Sequence, residues 1–297
     1  MLDVVIPTKN CALDLDRCLH ALKKQVEEVN MIVVDAGSRD GTREVAERHN
    51  VTLLDEPPST VKGSRRAVAC NWGLKHCSSE FVGFLDADSV PPPEWSRDMV
   101  TALKRNMAAC AGVTSGCVSD DSTSLRRAVG TLMRAASSHS RCFTAETVVE
   151  SIPGYNSAYW RDIVLMAGGF SEDIGGCEDW ELNRRIRGMG YLLLGVPESP
   201  VRHRENLTLR AFGRQMYGYG WSRGRLLRVK RIFTPLHALP TLTLAAGAAL
   251  FPLTAIALTV LSLVATLTGT LTLFAASLVM AGCWSVGYLS GLTEGEA

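Results

Sequence analysis

Two aspartates one residue apart, Asp86 and Asp88, close the apolar run in "FVGFLDADSVPPPEW" (81–95), and three prolines follow them. The run reads as a buried strand, and the prolines stop it. Like charges at the end of a core strand are costly unless something positive meets them. For hard oxygen ligands the usual partner is a divalent metal. The plainer alternative is a pair of solvated turn aspartates. On an extended D-x-D the two side chains diverge, so one can reach a metal directly while the other acts through water or a substrate hydroxyl.

These residues need a scaffold, and the chain supplies a periodic one. "LDVVIP" (2–7), "NMIVVDA" (30–36), "VTLLDE" (51–56) and "FVGFLDAD" (81–88) are short β-branched or aromatic runs separated by helix-length segments. This alternation predicts a doubly wound, mostly parallel sheet. Ligands of such sheets bind beyond the carboxyl ends of the strands. Those ends carry Thr8 and Asn10, Asp35, Asp55, and then Asp86 and Asp88. The second half is less regular. A strand is expected at 109–118 and a helix over 124–137, followed by a loop-rich passage from Pro153. A helix over Glu178–Met189 has acids in its first turn and Arg184, Arg185 and Arg187 toward its end, matching its dipole. A further strand is expected at 191–196.

The formal net charge of +1 conceals an asymmetry. Residues 1–201 carry 22 Lys and Arg against 27 Asp and Glu, whereas residues 202–231 carry nine against the single Glu205. No Asp, Glu, Lys or Arg occurs in the 62 residues from Ile232 to Thr293. One bilayer crossing needs roughly 20 apolar residues, so two are expected, near 239–265 and 271–292, with Pro252 a kink in the first. A buried soluble helical hairpin is the alternative, but a soluble helix should show a polar face. The basic belt places its side of the membrane in the cytoplasm, and two crossings return the C-terminus to that side. No charged leader followed by an apolar core occurs at "MLDVVIPTKN", so the bulk of the protein is expected to stay cytoplasmic. Nine cysteines without a C-x-x-C pair argue against a disulfide framework or a zinc site and read as buried thiols.

"VVIPTKN", "VVDAGSRDGT" (33–42), "FLDADS" (84–89), "GGFSED" (168–173) and "CEDWELNRRIRGMGY" (177–191) occur in the order and approximate spacing of the family 2 glycosyltransferases. The chain resembles that family over about residues 1–225. The resemblance implies an α/β GT-A fold and an inverting transfer of sugar from a nucleotide-diphosphate donor. Together with the apolar tail, it implies a catalytic domain over 1–205, a basic amphipathic membrane-proximal segment over 206–231, and a transmembrane hairpin with a short tail over 232–297.

The same resemblance assigns roles. Pro7 and Thr8 lie where the first strand meets the nucleotide, Asp35 where a carboxylate holds the base or ribose, and Ser38 and Asp40 continue that loop. Asp40 or Thr42 could equally cap the following helix. Asp86 and Asp88 match the donor-side aspartates, with Asp88 the direct ligand of Mn2+ or Mg2+ on the diphosphate. An Arg-Asn pair usually precedes this strand; here Cys70 takes the Arg position and Asn71 is retained. Arg65 or Arg66, one helical turn earlier, either substitutes for it or lies on a solvated face. Glu178 and Asp179 match the catalytic acid pair, with Asp179 as the base that deprotonates the acceptor hydroxyl; the alternative is that both cap their helix. Trp180 is a sugar-stacking residue or a core aromatic. Asn156 is expected to bind donor or acceptor hydroxyls. His203 is a second metal ligand or a surface residue, and Arg214 meets diphosphate or lipid phosphate. Gln215 begins Gln-Met-Tyr-Gly, which lacks the Q-x-x-R-W pattern of processive synthases and favours single additions.

The expected activity is therefore metal-dependent transfer of one sugar to a hydroxyl of a lipid-linked glycan at the cytoplasmic membrane face. The implied partners are the nucleotide sugar, a lipid-linked or polyprenyl-linked acceptor and membrane lipids, with no nucleic acid. A polyprenyl-phosphate sugar synthase needs no general base, so the Glu178–Asp179 pair speaks against it. A sugar nucleotidyltransferase would carry a glycine-rich, lysine-containing first loop, which is missing here. A catalytically silent membrane scaffold would have no need of intact Asp35, Asp86, Asp88 and Asp179.

Overall fold

The computed structural model describes residues 1–59, 63–106, 109–118, 123–125, 128–129, 143–203, 208–233, 235, 241–242, 245 and 271–293. Contacts divide the chain into two units. One comprises Met1–Asp120, Ser137–Glu172 and Glu178–Glu205; the other comprises Asp121–Ala136, Asp173–Cys177 and Asn206–Ala297.

In the first unit the apolar runs become β1 (Leu2–Thr8), β2 (Val29–Asp35), β3 (Thr52–Asp55) and β4 (Phe81–Leu85), with α1 (Ala12–Leu22), α2 (Thr42–Arg48) and α3 (Arg65–His76) between them. After β5 (Ser89–Val90) and α4 (Trp95–Arg105) come β6 (Cys110–Thr114), β7 (Cys117–Val118), β8 (Thr147–Val148), β9 (Asn156–Trp160) and α5 (Arg161–Met166). The unit closes with α6 (Glu178–Gly188), β10 (Leu192–Gly195) and β11 (Val201–His203). The main sheet has the order β3-β2-β1-β4-β9-β6-β10-β8, and β5-β11-β7 form a small second sheet. Strands β1 to β4 are mutually parallel, as are β6 and β10, whereas β9 runs antiparallel between β4 and β6.

Two expectations need correction. The run at 109–118 is not one strand: at Gly116, φ +73°, the chain leaves the main sheet, and β7 pairs with β11 instead. The passage from Pro153, read as loop-rich, contains the central strand β9. The expected helix over 124–137 and the first expected span over 239–265 lie mostly outside the described residues.

Strand alternation distributes side chains to two cores. Leu2, Val4, Ile6, Phe81 and Leu85 pack with Leu15, Leu19, Val45, Trp95 and Met99 of α1, α2 and α4. Val5, Val82 and Phe84 pack with Cys70, Leu74, Val164, Leu182 and Ile186 of α3, α5 and α6. Each such fully buried aliphatic or phenyl side chain contributes about 1.5–3 kcal/mol relative to exposure. At Gly73 a Cβ would stand 2.4 Å from Val5 Cγ1, so only glycine lets α3 lie this close to β1. Cys18, Cys70, Cys77, Cys110 and Cys177 are buried, as expected of core thiols; Cys11, Cys117 and Cys283 are half-buried.

The second unit contains α7 (Leu209–Lys230) and α8 (Leu271–Thr293). Thr208 caps α7, its hydroxyl accepting from Ala211 N–H at 3.1 Å. Within α8, Ala275–Thr293 is long and apolar enough to cross a membrane. The two helices run parallel and meet through glycine. A Cβ at Gly220 or Gly224 would collide with the carbonyl oxygens of Trp284 and Tyr288, and one at Gly287 or Gly291 with those of Tyr217 and Trp221. Small residues at i and i+4 on both helices are what allow this backbone approach. The loop Asp173–Cys177 joins the unit through Gly176 N–H, which donates to Ser222 Oγ at 2.7 Å, and through Arg225 Nε, which donates to Asp173 O at 2.5 Å.

Candidate active site

The carboxyl end of β4 is where the chemistry gathers. Register pairs Leu85 with Asn156, and just beyond it Asp86 N–H donates to Tyr155 O at 3.3 Å. Ser89 N–H turns back onto Asp86 O at 3.0 Å, starting β5. Strand β11 then pairs antiparallel with β5, placing His203 opposite Ser89. This brings His203 Nε2 to 3.1 Å from Asp88 Oδ1. Ligand atoms of Asp86, Asp88 and His203 all lie within 4.8 Å of one another, with the two carboxylates about one-third exposed. Two hard oxygens and one imidazole fit Mn2+ or Mg2+, the nitrogen favouring Mn2+. The Tyr155 ring stacks on the imidazole, with centroids 4.5 Å apart and planes inclined by 18°.

A second group of acids opens α6. Asp179 Oδ2 accepts from Gly154 N–H at 3.1 Å, and its Oδ1 accepts from Trp180 N–H at 2.6 Å. Asp179 is half-buried, whereas Glu178 is buried. Burial pushes the Glu178 carboxyl up to about 7, the neighbouring Asp179 carboxylate adds to this, and Arg66 opposes it. Asp179 is thus the member of the pair that a solvent-borne hydroxyl can reach. Gly154 and Tyr155, adjacent in sequence, tie the two acidic groups to the same turn ahead of β9.

Arg66 lies between these groups and is not on a solvated face: its side chain is only 23% exposed. Nε donates to Asp86 Oδ1 at 3.0 Å, Nη2 donates to Gly154 O at 2.6 Å, and Nη1 stands 3.5 Å from Glu178 Oε1. Burial works against the guanidinium charge, but the surrounding acids, Asp86 foremost among the carboxylates, hold it well above its usual range. Arg65 turns the other way and pairs with Glu56.

The remaining expected donor residues are held within the first unit as follows. Pro7 is half-buried, and Thr8 Oγ1 donates to Val34 O at 3.3 Å. Asp35 has no side-chain exposure: Arg43 Nη1 stands 3.0 Å from Oδ2, Ser38 Oγ is 2.5 Å from Oδ1, and Ser38 N–H also donates to the carboxylate. Asp40 accepts from Ala12 N–H and Thr42 N–H, each at 3.2 Å, and so serves the starts of both α1 and α2. Asn71 fastens the turn around Ser171: its amide donates to Phe170 O and Glu172 Oε1 and accepts from Phe170 N–H. Asn156 is fully buried, accepting from Trp95 Nε1 and donating to Ser115 Oγ and Gly116 O. Arg214 is exposed on α7 of the second unit. Tyr155, Gly154 and Arg43 were not singled out as site residues by sequence, and Arg66 entered only as one of two arginines that substitute for the missing family Arg or lie on a solvated face. A further signal for Arg66 was its place as a cation in the first turn of a helix, where the dipole disfavours it.

Comparison with known proteins adds three findings. The model of the glycosyl transferase family 2 matches residues 3–164. Glycosyltransferase AglE of Haloferax volcanii is 27% identical over 201 residues, 64% of this chain and 62% of that protein. The pre-mycofactocin glycosyltransferase of Mycobacterium tuberculosis is also 27% identical, over 74% of this chain and 46% of that protein, so the chain spans less than two-thirds of either relative. Among solved structures, the Pyrobaculum calidifontis mannosyltransferase PcManGT in complex with GDP-Man and Mn2+ superposes over 99% of this chain and 88% of its own, with a TM-score of 0.66 at 23% identity. That likeness supports a GT-A-like fold.

Proposed function

Because the chain belongs to glycosyl transferase family 2 and is a glycosyltransferase, we propose that it moves a single sugar, with inversion, from a nucleotide-diphosphate sugar to a hydroxyl of a lipid-linked glycan at the cytoplasmic face of a membrane. The observation that carries this reading is the shared turn: Tyr155 organises Asp86 and His203 while Gly154 holds Asp179. A donor-side metal group and an acceptor-side base are thereby built into one piece of backbone.

Asp88, Asp86 and His203 would hold Mn2+ or Mg2+, which when bound neutralises charge on the leaving diphosphate. Asp179 accepts the acceptor's proton as the acceptor oxygen bonds to the anomeric carbon. The bond from that carbon to the diphosphate oxygen breaks, and its electron pair leaves with the diphosphate. Its half-exposed position suits Asp179 to this role, and a positioned base is worth about 10²–10⁴-fold in rate. The two hydrogen bonds to Asp179 fix the carboxylate's orientation.

The membrane part of the proposal rests on the charge-free α8 and on nine Lys and Arg in residues 202–231. Two spans, near 239–265 and 271–292, with the catalytic domain in the cytoplasm, are our reading of the tail. Such a tail would let a lipid-borne acceptor approach from the bilayer and the nucleotide sugar from solution.

The test is a screen of nucleotide sugars by thermal shift with and without Mn2+. A ligand at 100 times its Kd stabilises the folded state by about 2.7 kcal/mol. One nucleotide sugar should raise the Tm in a Mn2+-dependent way and then be turned over with a lipid-linked acceptor. If no donor shifts the Tm and none is consumed, the reading is wrong.

A further inference from the structure

We propose that Arg66 is the positioning residue that locks the metal-side carboxylate of Asp86 and the acceptor-side pair Glu178–Asp179 into one geometry. The proposal rests on the glycosyl-transfer reading above and adds a residue to it.

The side chain sits in a slot made for it. Arg66 is the second residue of α3, whose first turn Ser64 fixes by accepting from Ala67 N–H at 3.1 Å. That first turn contains no acid, so the helix itself offers the cation nothing. One turn further on, Cys70 is small and fully buried, and across the slot Gly154 has no side chain. A Cβ at Gly154 would stand 2.5 Å from Arg66 Nη1. Three faces of one planar guanidinium then meet three separate elements: Asp86 after β4, the carbonyl of Gly154 before β9, and Glu178 at the start of α6. A lysine, with one ammonium point, cannot make this three-way contact. Because Nε donates to Asp86 Oδ1, the carboxylate is held in one orientation beside Asp88 and His203. Because Nη2 holds the carbonyl of Gly154, the N–H of that same residue is fixed where it meets Asp179.

Two variants of the full-length protein test this. Arg66→Lys keeps the charge and loses the fork. Gly154→Ala keeps Arg66 and displaces its tip; Gly154 is not among the glycines with positive φ, so alanine suits the backbone. The readouts are the Mn2+ dissociation constant by electron paramagnetic resonance without substrates, kcat and KM for the donor, and Tm. Both variants should weaken Mn2+ binding and lower kcat by about 10–100-fold, the range for residues that orient metal ligands, with Tm close to wild type. If Arg66→Lys does not fold, Gly154→Ala decides alone. Unchanged Mn2+ affinity and unchanged kcat per folded molecule would overturn the role of Arg66 while leaving the activity standing. A wild-type protein that neither binds Mn2+ nor consumes any nucleotide sugar would overturn both.

Discussion

His203 Nε2 lies 3.1 Å from Asp88 Oδ1, although 115 residues separate them in sequence. The pairing of β11 with β5 creates that contact, and the stacked Tyr155 ring limits the imidazole's rotation. Asp88→Ala should therefore abolish turnover and remove the Mn2+ dependence of donor binding. Titration of the folded variant with donor, with and without Mn2+, checks this; an undiminished Mn2+ effect would place the metal elsewhere.

Asp179→Asn keeps an acceptor atom for Gly154 N–H but removes the basicity. Donor affinity should stay near wild type while transfer falls by about 10²-fold or more. Steady-state kinetics with donor and acceptor varied separately distinguish these effects. Transfer to a polyprenyl phosphate at an undiminished rate would instead favour an acceptor that needs no base.

Glu178 gives a dependence on pH whose sign can be worked out. Its folded pKa, about 7, lies above the unfolded value of 4.5, so the folded state retains a proton that the unfolded chain releases. Stability is thus lost as pH rises from about 4.5 to 7, and the full penalty persists above that. Glu178→Gln removes the penalty. Its Tm relative to wild type should rise between pH 5 and pH 8, by about 2–4 °C for each kcal/mol relieved, while activity falls. A Tm difference that does not vary with pH would mean that Glu178 is ionised throughout.

Asn71 separates a structural role from a ligand role. Its amide makes three hydrogen bonds to the 170–172 turn. Asn71→Ala should lower stability by about 1–3 kcal/mol, the cost of leaving partly buried partners unmade, with little change in donor KM. A large rise in KM at unchanged Tm would support the donor-binding role expected from the sequence.

A chain ending at Arg231 retains all of the first unit and loses α8. It should still gain Tm from donor and Mn2+ and should glycosylate a water-soluble acceptor analogue, but act poorly on the lipid-linked acceptor. Comparison with the full chain on both acceptors measures this. Equal loss on both would show that the tail supports folding instead.

The parts of the fold legible in the sequence were those set by local periodicity. Strands β1 to β4 and helix α6 show in apolar spacing and in the placement of charge along the helix. Strand β9 did not, because "NSAYW" has weak alternation of its own and becomes a central strand only through pairing with β4 and β6. The same limit explains the polar residues. Asp86 and Asp88 were legible as chemistry and His203 entered through the family resemblance, but nothing local shows that the amides of Asn71 and Asn156 are engaged by Phe170 and Trp95, or that the Asp35 carboxylate is met by Arg43. Whether a polar group is free for a ligand depends on partners far away in sequence. Arg66 is the converse case, since a pair of arginines reads as a surface until the acids that surround one of them are brought together.

The glycine contacts between α7 and α8 have a mechanical consequence. Helices separated by long side chains can slide and re-interdigitate, but here Gly220, Gly224, Gly287 and Gly291 each face a carbonyl of the other helix, so translation by even one residue would drive a Cβ into backbone. Helices α7 and α8 are therefore geared rather than merely packed, and the Asp173–Cys177 loop is hung on the same helix α7 through Ser222 and Arg225.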